Sequence, residues 1–99
     1  MSDQVLDSSI VVAAEDQVSS DLGGEMAILD LRVGVYYGLD EVGARVWQLI
    51  QEPRPVREVR DVLLEEYEVV PERCEHDLLA LLQKLAEEGL IEVRDEASA

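Results

Sequence analysis

The sequence predicts an α+β domain, a three-stranded antiparallel sheet followed by three helices, in a winged-helix-like arrangement whose strands come first. Three observations carry this. Residues 10–39 alternate with a period near two, Gly23-Gly24 and Gly34 punctuate that stretch, and after Leu39 the apolar residues recur every three to four positions between Pro53, Pro55 and Pro71.

The first strand is read over IVVAAEDQVSSDL. Gly23-Gly24 then supplies positive φ at both central turn positions, a strong hairpin signal. The second strand, EMAILDL, places Ala27, Leu29 and Leu31 on one face and Met26 and Ile28 on the other, as suits a middle strand. Gly34 permits a second reversal into VYYGL, so a simple meander leaves this third strand at an edge. Alternation sends Tyr36 and Tyr37 to opposite faces of it.

Asp40 can cap a helix by accepting from its first free amides, and Val42, Val46, Trp47, Leu49 and Ile50 give that helix an apolar face ending near Glu52. Pro53 stops it. Pro55 opens a second helix, VREVRDVLLEEY, with Val56, Val59, Val62 and Leu63 inward. Pro71 opens the third, and Gly89 closes it before a short apolar segment at residues 90–93. Residues 1–7 and 95–99 are expected to fray. The chain is expected to be one domain over residues 1–99, with its core at about 10–93.

Ninety-nine residues, 47% of them apolar and 31% charged, suffice for one core. The net charge of −15, from 23 acidic against 8 basic residues, opposes nucleic acid and anionic membranes, because both are bound by Lys and Arg. The third helix, which would have to read the groove of DNA, carries only Arg73 and Lys84 against five acidic residues. No apolar run is long enough to span a membrane and no signal peptide opens the chain, so a cytoplasmic protein is expected.

Catalytic chemistry has little to build on. Cys74 and His76 are the only cysteine and histidine, and two residues apart on a helix they point about 200° from one another. A buried thiol and a solvent-facing imidazole are expected instead. Glu65-Glu66 and Glu87-Glu88 read as solvated helix faces, and no glycine pattern matches a phosphate-binding loop. The expectation is therefore a protein that is not an enzyme, with no cofactor and no metal.

The third helix carries two adjoining apolar stripes. Cys74, Leu78, Leu81 and Leu85 fall within about 60°, and Leu79, Leu82 and Ala86 widen the arc to about 160°. Both stripes can be core, or the second can wall a groove beside the edge strand Val35–Leu39, whose outer backbone groups are unpaired. Such a groove could take an extended peptide as a fourth strand. The same edge could instead pair two copies as a homodimer.

The run YYGLDEVGARVWQLI resembles the strand-to-helix signature of the PqqD-like proteins, matched by Tyr37, Leu39, Asp40, Gly43, Ala44, Val46 and Trp47. The resemblance continues through residues 56–67, through Val69, and through Asp77, Leu82, Leu85, Gly89 and Leu90 of the closing helix, covering about residues 10–93. It implies a RiPP recognition element, a non-catalytic peptide chaperone that binds the leader of a ribosomally made precursor on its third strand beside its third helix. The implied binding residues are Val35, Tyr36, Tyr37 and Gly38 on the strand, and from the two stripes Leu78, Leu79, Leu82 and Leu85 on the helix. The short chain implies a freestanding element. GLDEVGARVW and the YEVVPE turn look most like versions from lasso-peptide antibiotic biosynthesis, whose partner is a cysteine protease acting as leader peptidase. The alternative implied is the version serving pyrroloquinoline quinone biosynthesis, with a radical SAM enzyme as partner.

Overall fold

The structure is a computed structural model that describes residues 5–95 other than Asp7 and Asp16. It runs β1 (Ser9–Ala13), β2 (Gln17–Asp21), β3 (Met26–Asp30), β4 (Val35–Leu39), α1 (Glu41–Leu49), β5 (Arg54–Pro55), α2 (Val56–Glu66), α3 (Pro71–Glu87) and β6 (Ile91–Asp95). The class is α+β and its three longer helices fall where they were expected, but the strands form two antiparallel sheets rather than one. Strands β2-β3-β4 make the meander, and β5-β1-β6 make a second sheet.

The single strand expected over residues 10–22 is therefore corrected to two. Its apolar half, IVVA, becomes the centre of the second sheet, with Val11 opposite Arg54 on one side and Val93 on the other. Its polar half, QVSSD, pairs only with β3 and is largely exposed. The break falls where composition changes from apolar to polar, and a strand buried between two neighbours needs the apolar half. The segment at residues 90–93 is likewise β6, fixed by a partner almost the whole chain away.

Local signals work where they are self-contained. Gly23 and Gly24 adopt φ of 78° and 104°, and the turn closes with Leu22 N donating to Glu25 O at 2.7 Å. Asp40 caps α1 by accepting from Gly43 N at 2.8 Å. Pro71 stands in the first turn of α3, where its missing N–H removes no helical bond.

Val11 of β1 and Ile28 of β3, both fully buried, meet Val46, Trp47, Val59, Leu63, Leu82 and Leu90 in one apolar core, so the two sheets and three helices share it. Val5, within the segment expected to fray, is buried there, and its amide donates to Gln83 Oε1 at 2.9 Å. Leu6 N donates to Ser9 Oγ at 2.9 Å, and Asp95, also expected to fray, ends β6 opposite Ser9. The remaining residues of that expectation, 1–4, Asp7 and 96–99, lie outside the described residues.

Candidate functional site

Strand β4 pairs with β3 from Val35 opposite Asp30 to Leu39 opposite Met26, and among the described residues no strand pairs with its other side. Alternation decides what each β4 side chain does. Tyr36 points away from the core and is 71% exposed, while Tyr37 is half-buried and Leu39 buried on the opposite face. Asp40 turns the chain straight into α1, and the close fit of Gly43 against Leu39 lets the helix start hard against the strand.

A groove of about 660 Å³ opens where β4 ends. Gly38, Leu39 and Val42 form one wall, Cys74, Leu78 and Leu81 of α3 form the other, and Val46 and Leu63 also line it. Tyr67, Val69 and Val70, from the connection between α2 and α3, complete the lining, and Val69 and Val70 are exposed. The polar groups along the groove are Asp40, Arg73 and Asp77. Arg73 and Asp77 pair one helical turn apart at 3.7 Å. An apolar trough with a few charges beside it accommodates bulky apolar side chains and leaves polar backbone at its edge.

Of the residues expected on the helix side, Leu78 lines this groove, but Leu82 and Leu85 do not. They are fully and almost fully buried in the core, as Leu78 also is at its base. Leu79 is half-buried and is not among the lining residues. The stripe that reaches the groove is the first one, Cys74, Leu78 and Leu81, whereas Leu82 of the second closes the core. A helix with an apolar arc this broad presents both stripes to something, and periodicity alone cannot say which one meets the sheets. Val42, read as core, is 39% exposed on the groove wall.

From the middle of β4 away from the groove, polar contacts replace apolar ones. The Tyr37 hydroxyl donates to Glu88 Oε1 at 2.6 Å, just past the last turn of α3. That bond, with burial and the carboxylate's charge behind it, raises the Tyr37 phenol above its ordinary value. Asp30 sits on the buried face of β3 with Met26 and Ile28 and is 1% exposed. Hydrogen bonds from the Arg32 side chain and backbone hold its carboxyl below the usual carboxylate range against the opposing effect of burial. An aspartate at an inward position of the second strand, with an arginine two residues on, was the sequence signal for this pair.

Cys74 is buried and His76 exposed. Burial raises the Cys74 thiol, and the charge of Asp77 adds to that, so the thiol stays protonated and poorly nucleophilic. Among the described residues no group of His, Cys, Asp and Glu is placed to hold a metal ion, and no helix is long and apolar enough to cross a membrane.

Residues 25–91 match the family model of coenzyme PQQ synthesis protein D (PqqD). No curated protein matches the chain. Two solved structures are similar to it. TbiB1, in complex with the TbiA(beta) leader peptide, is 36% identical with a TM-score of 0.75, over 82% of this chain and 94% of that one. A lasso peptide synthetase B1, complexed with the leader peptide, is 27% identical with a TM-score of 0.72, over 83% of this chain and 96% of that one.

Proposed function

We propose, from the premise that the chain belongs to the PqqD family, that it is a RiPP recognition element, binding the leader of a ribosomally made precursor peptide and presenting it to a processing enzyme. The observation that carries this reading is the unpaired side of β4 lying next to an apolar groove between strand and helix. Alternate residues of Val35–Leu39 direct N–H and C=O groups outward, so an extended peptide gains backbone hydrogen bonds and a fixed register there. Its side chains on the groove side then enter the trough between Leu39 and Leu81. Two anchors, each worth roughly 1.5–3 kcal/mol on burial, supply much of the about 8 kcal/mol of a micromolar complex.

The lasso-peptide setting is the reading favoured, because both similar structures hold leader peptides and one is named a lasso peptide synthetase B1. In that setting the enzyme served is a leader peptidase, and the domain brings no catalysis of its own. The family model's description supports a second reading, service in coenzyme PQQ synthesis, where the resemblance implies a radical SAM enzyme as partner. Both readings use the same edge and differ in the peptide delivered.

The test is a titration with the TbiA(beta) leader peptide, then with leaders of other classes, following backbone amide shifts. Perturbations should gather on Val35–Leu39 and on the groove faces of α1 and α3. Shifts confined to β2 or to the β5-β1-β6 sheet would overturn the site. A concentration-dependent mass without peptide would point instead to two copies paired through the same edge.

A further inference from the structure

One end of the space between β4 and α3 is the groove, and the other is closed by a polar tie centred on Arg32. Asp30 Oδ1 accepts from Arg32 N at 3.0 Å and from Arg32 Nε at 3.2 Å, while Asp30 Oδ2 accepts from Nη2 at 3.1 Å. The same Nη2 donates to Gly89 O at 3.1 Å and, at a longer 3.4 Å, to Glu88 O. Those carbonyls lie immediately beyond α3, where helix geometry leaves C=O groups without partners and the dipole favours a cation. Tyr37 reaches the same two-residue segment through the Glu88 carboxylate. The hairpin that carries the edge strand thus holds the end of α3 at two points.

Gly89 shows how closely the parts fit. It has a φ of 75°, and a Cβ built on it would stand 2.6 Å from Arg32 Nη2. The guanidinium occupies the volume that any other residue would fill. A planar fork can serve the buried carboxylate and the helix carbonyls together, whereas an ammonium group offers one point of charge and no fork.

We propose that Arg32 is a positioning residue for peptide binding: by bridging Asp30 to the end of α3 it sets the spacing between the helix wall and the β4 edge before a peptide arrives. This rests on the leader-binding reading and deepens it. With the spacing fixed in advance, the peptide need not order the helix as it docks, and the cost of that ordering is removed from binding.

The experiment compares the full chain with R32K and, from the opposite side of the tie, G89A. Amide exchange on the free proteins is read alongside affinity and association rate for the TbiA(beta) leader peptide, well below each variant's Tm. In both variants exchange should rise at residues 85–90 while α1 and α2 stay protected, and affinity should fall roughly tenfold, mainly through slower association, as expected when pre-organisation is lost. If the parent binds and R32K binds equally well, Arg32 is a structural tie only and the proposal is overturned, as it is if exchange at residues 85–90 does not change. Failure of the parent itself to bind leaders of any class overturns the leader reading instead, and the positioning role with it.

Discussion

Tyr37 donates a hydrogen bond from its hydroxyl to the Glu88 carboxylate at 2.6 Å, joining the middle of the edge strand to the end of the third helix. The phenol therefore keeps its proton above the ordinary value of 10.0. A raised folded pKa means the contribution to stability is complete below the unfolded value and is lost as pH rises through the folded one. In an alkaline absorbance titration Y37F should remove a late tyrosinate step and leave the other late one, that of Tyr67, which burial also raises. Loss of an early step would show that the bond is not formed.

Asp30 has the opposite sign. Arg32 depresses its pKa below 3.8, so its contribution is complete at pH values above the unfolded one and disappears as pH falls through the folded one. D30N should be less stable than the parent in urea at pH 7, and the gap should narrow as pH falls through the parent's depressed value and its own carboxylate is protonated. A gap independent of pH would assign the loss to packing.

Leu81 and Leu82 are neighbours with separate duties. L82A empties a fully buried site and should cost about 2–5 kcal/mol, measured by denaturant unfolding. L81A should cost about 1 kcal/mol or less, since the side chain is only half-buried on the groove wall, yet weaken peptide binding several-fold. Equal effects on stability would mean that the groove wall is core.

Asp40 caps α1 through Gly43 N, and D40A should lower stability by about 1 kcal/mol. Circular dichroism melts give the change directly. D40N, which keeps the accepting oxygen, should recover most of it.

With 23 acidic residues against 8 basic ones, repulsion across the surface opposes the compact state. Raising NaCl from about 0.02 to 0.2 M shortens the screening length from roughly 20 to 7 Å and should raise Tm. A fall would show that ion pairs such as Arg45 with Glu66, at 2.8 Å, outweigh the repulsion.

What the sequence made legible was local. The Gly23-Gly24 turn, the Asp40 cap and the helix start at Pro71 are each decided by a few adjacent residues, and the structure has them, whereas Pro55 is extended in β5 and α2 starts one residue later, at Val56. The edge position of β4 was legible too, because a meander leaves its last strand unpaired on one side. The second sheet was not. Ile10 pairs with Pro55 and Arg94, and nothing within ten residues of Ile10 encodes either partner. Which helix residues line the groove was half legible for a related reason. Helical periodicity placed Leu78, Leu81, Leu82 and Leu85 on one broad arc, but which stripe met the core depended on where the two sheets lay.

The place of β1 at the centre of its sheet has a consequence in time. Its partners at residues 54–55 and 91–95 are made after it, and at 5–20 residues per second the wait for the last is about 4–16 seconds of synthesis. Strands β2, β3 and β4 meet no such delay, because each follows its neighbour directly. On the ribosome, the edge proposed to receive a peptide can be assembled while β1 still lacks β6, the last of the described strands.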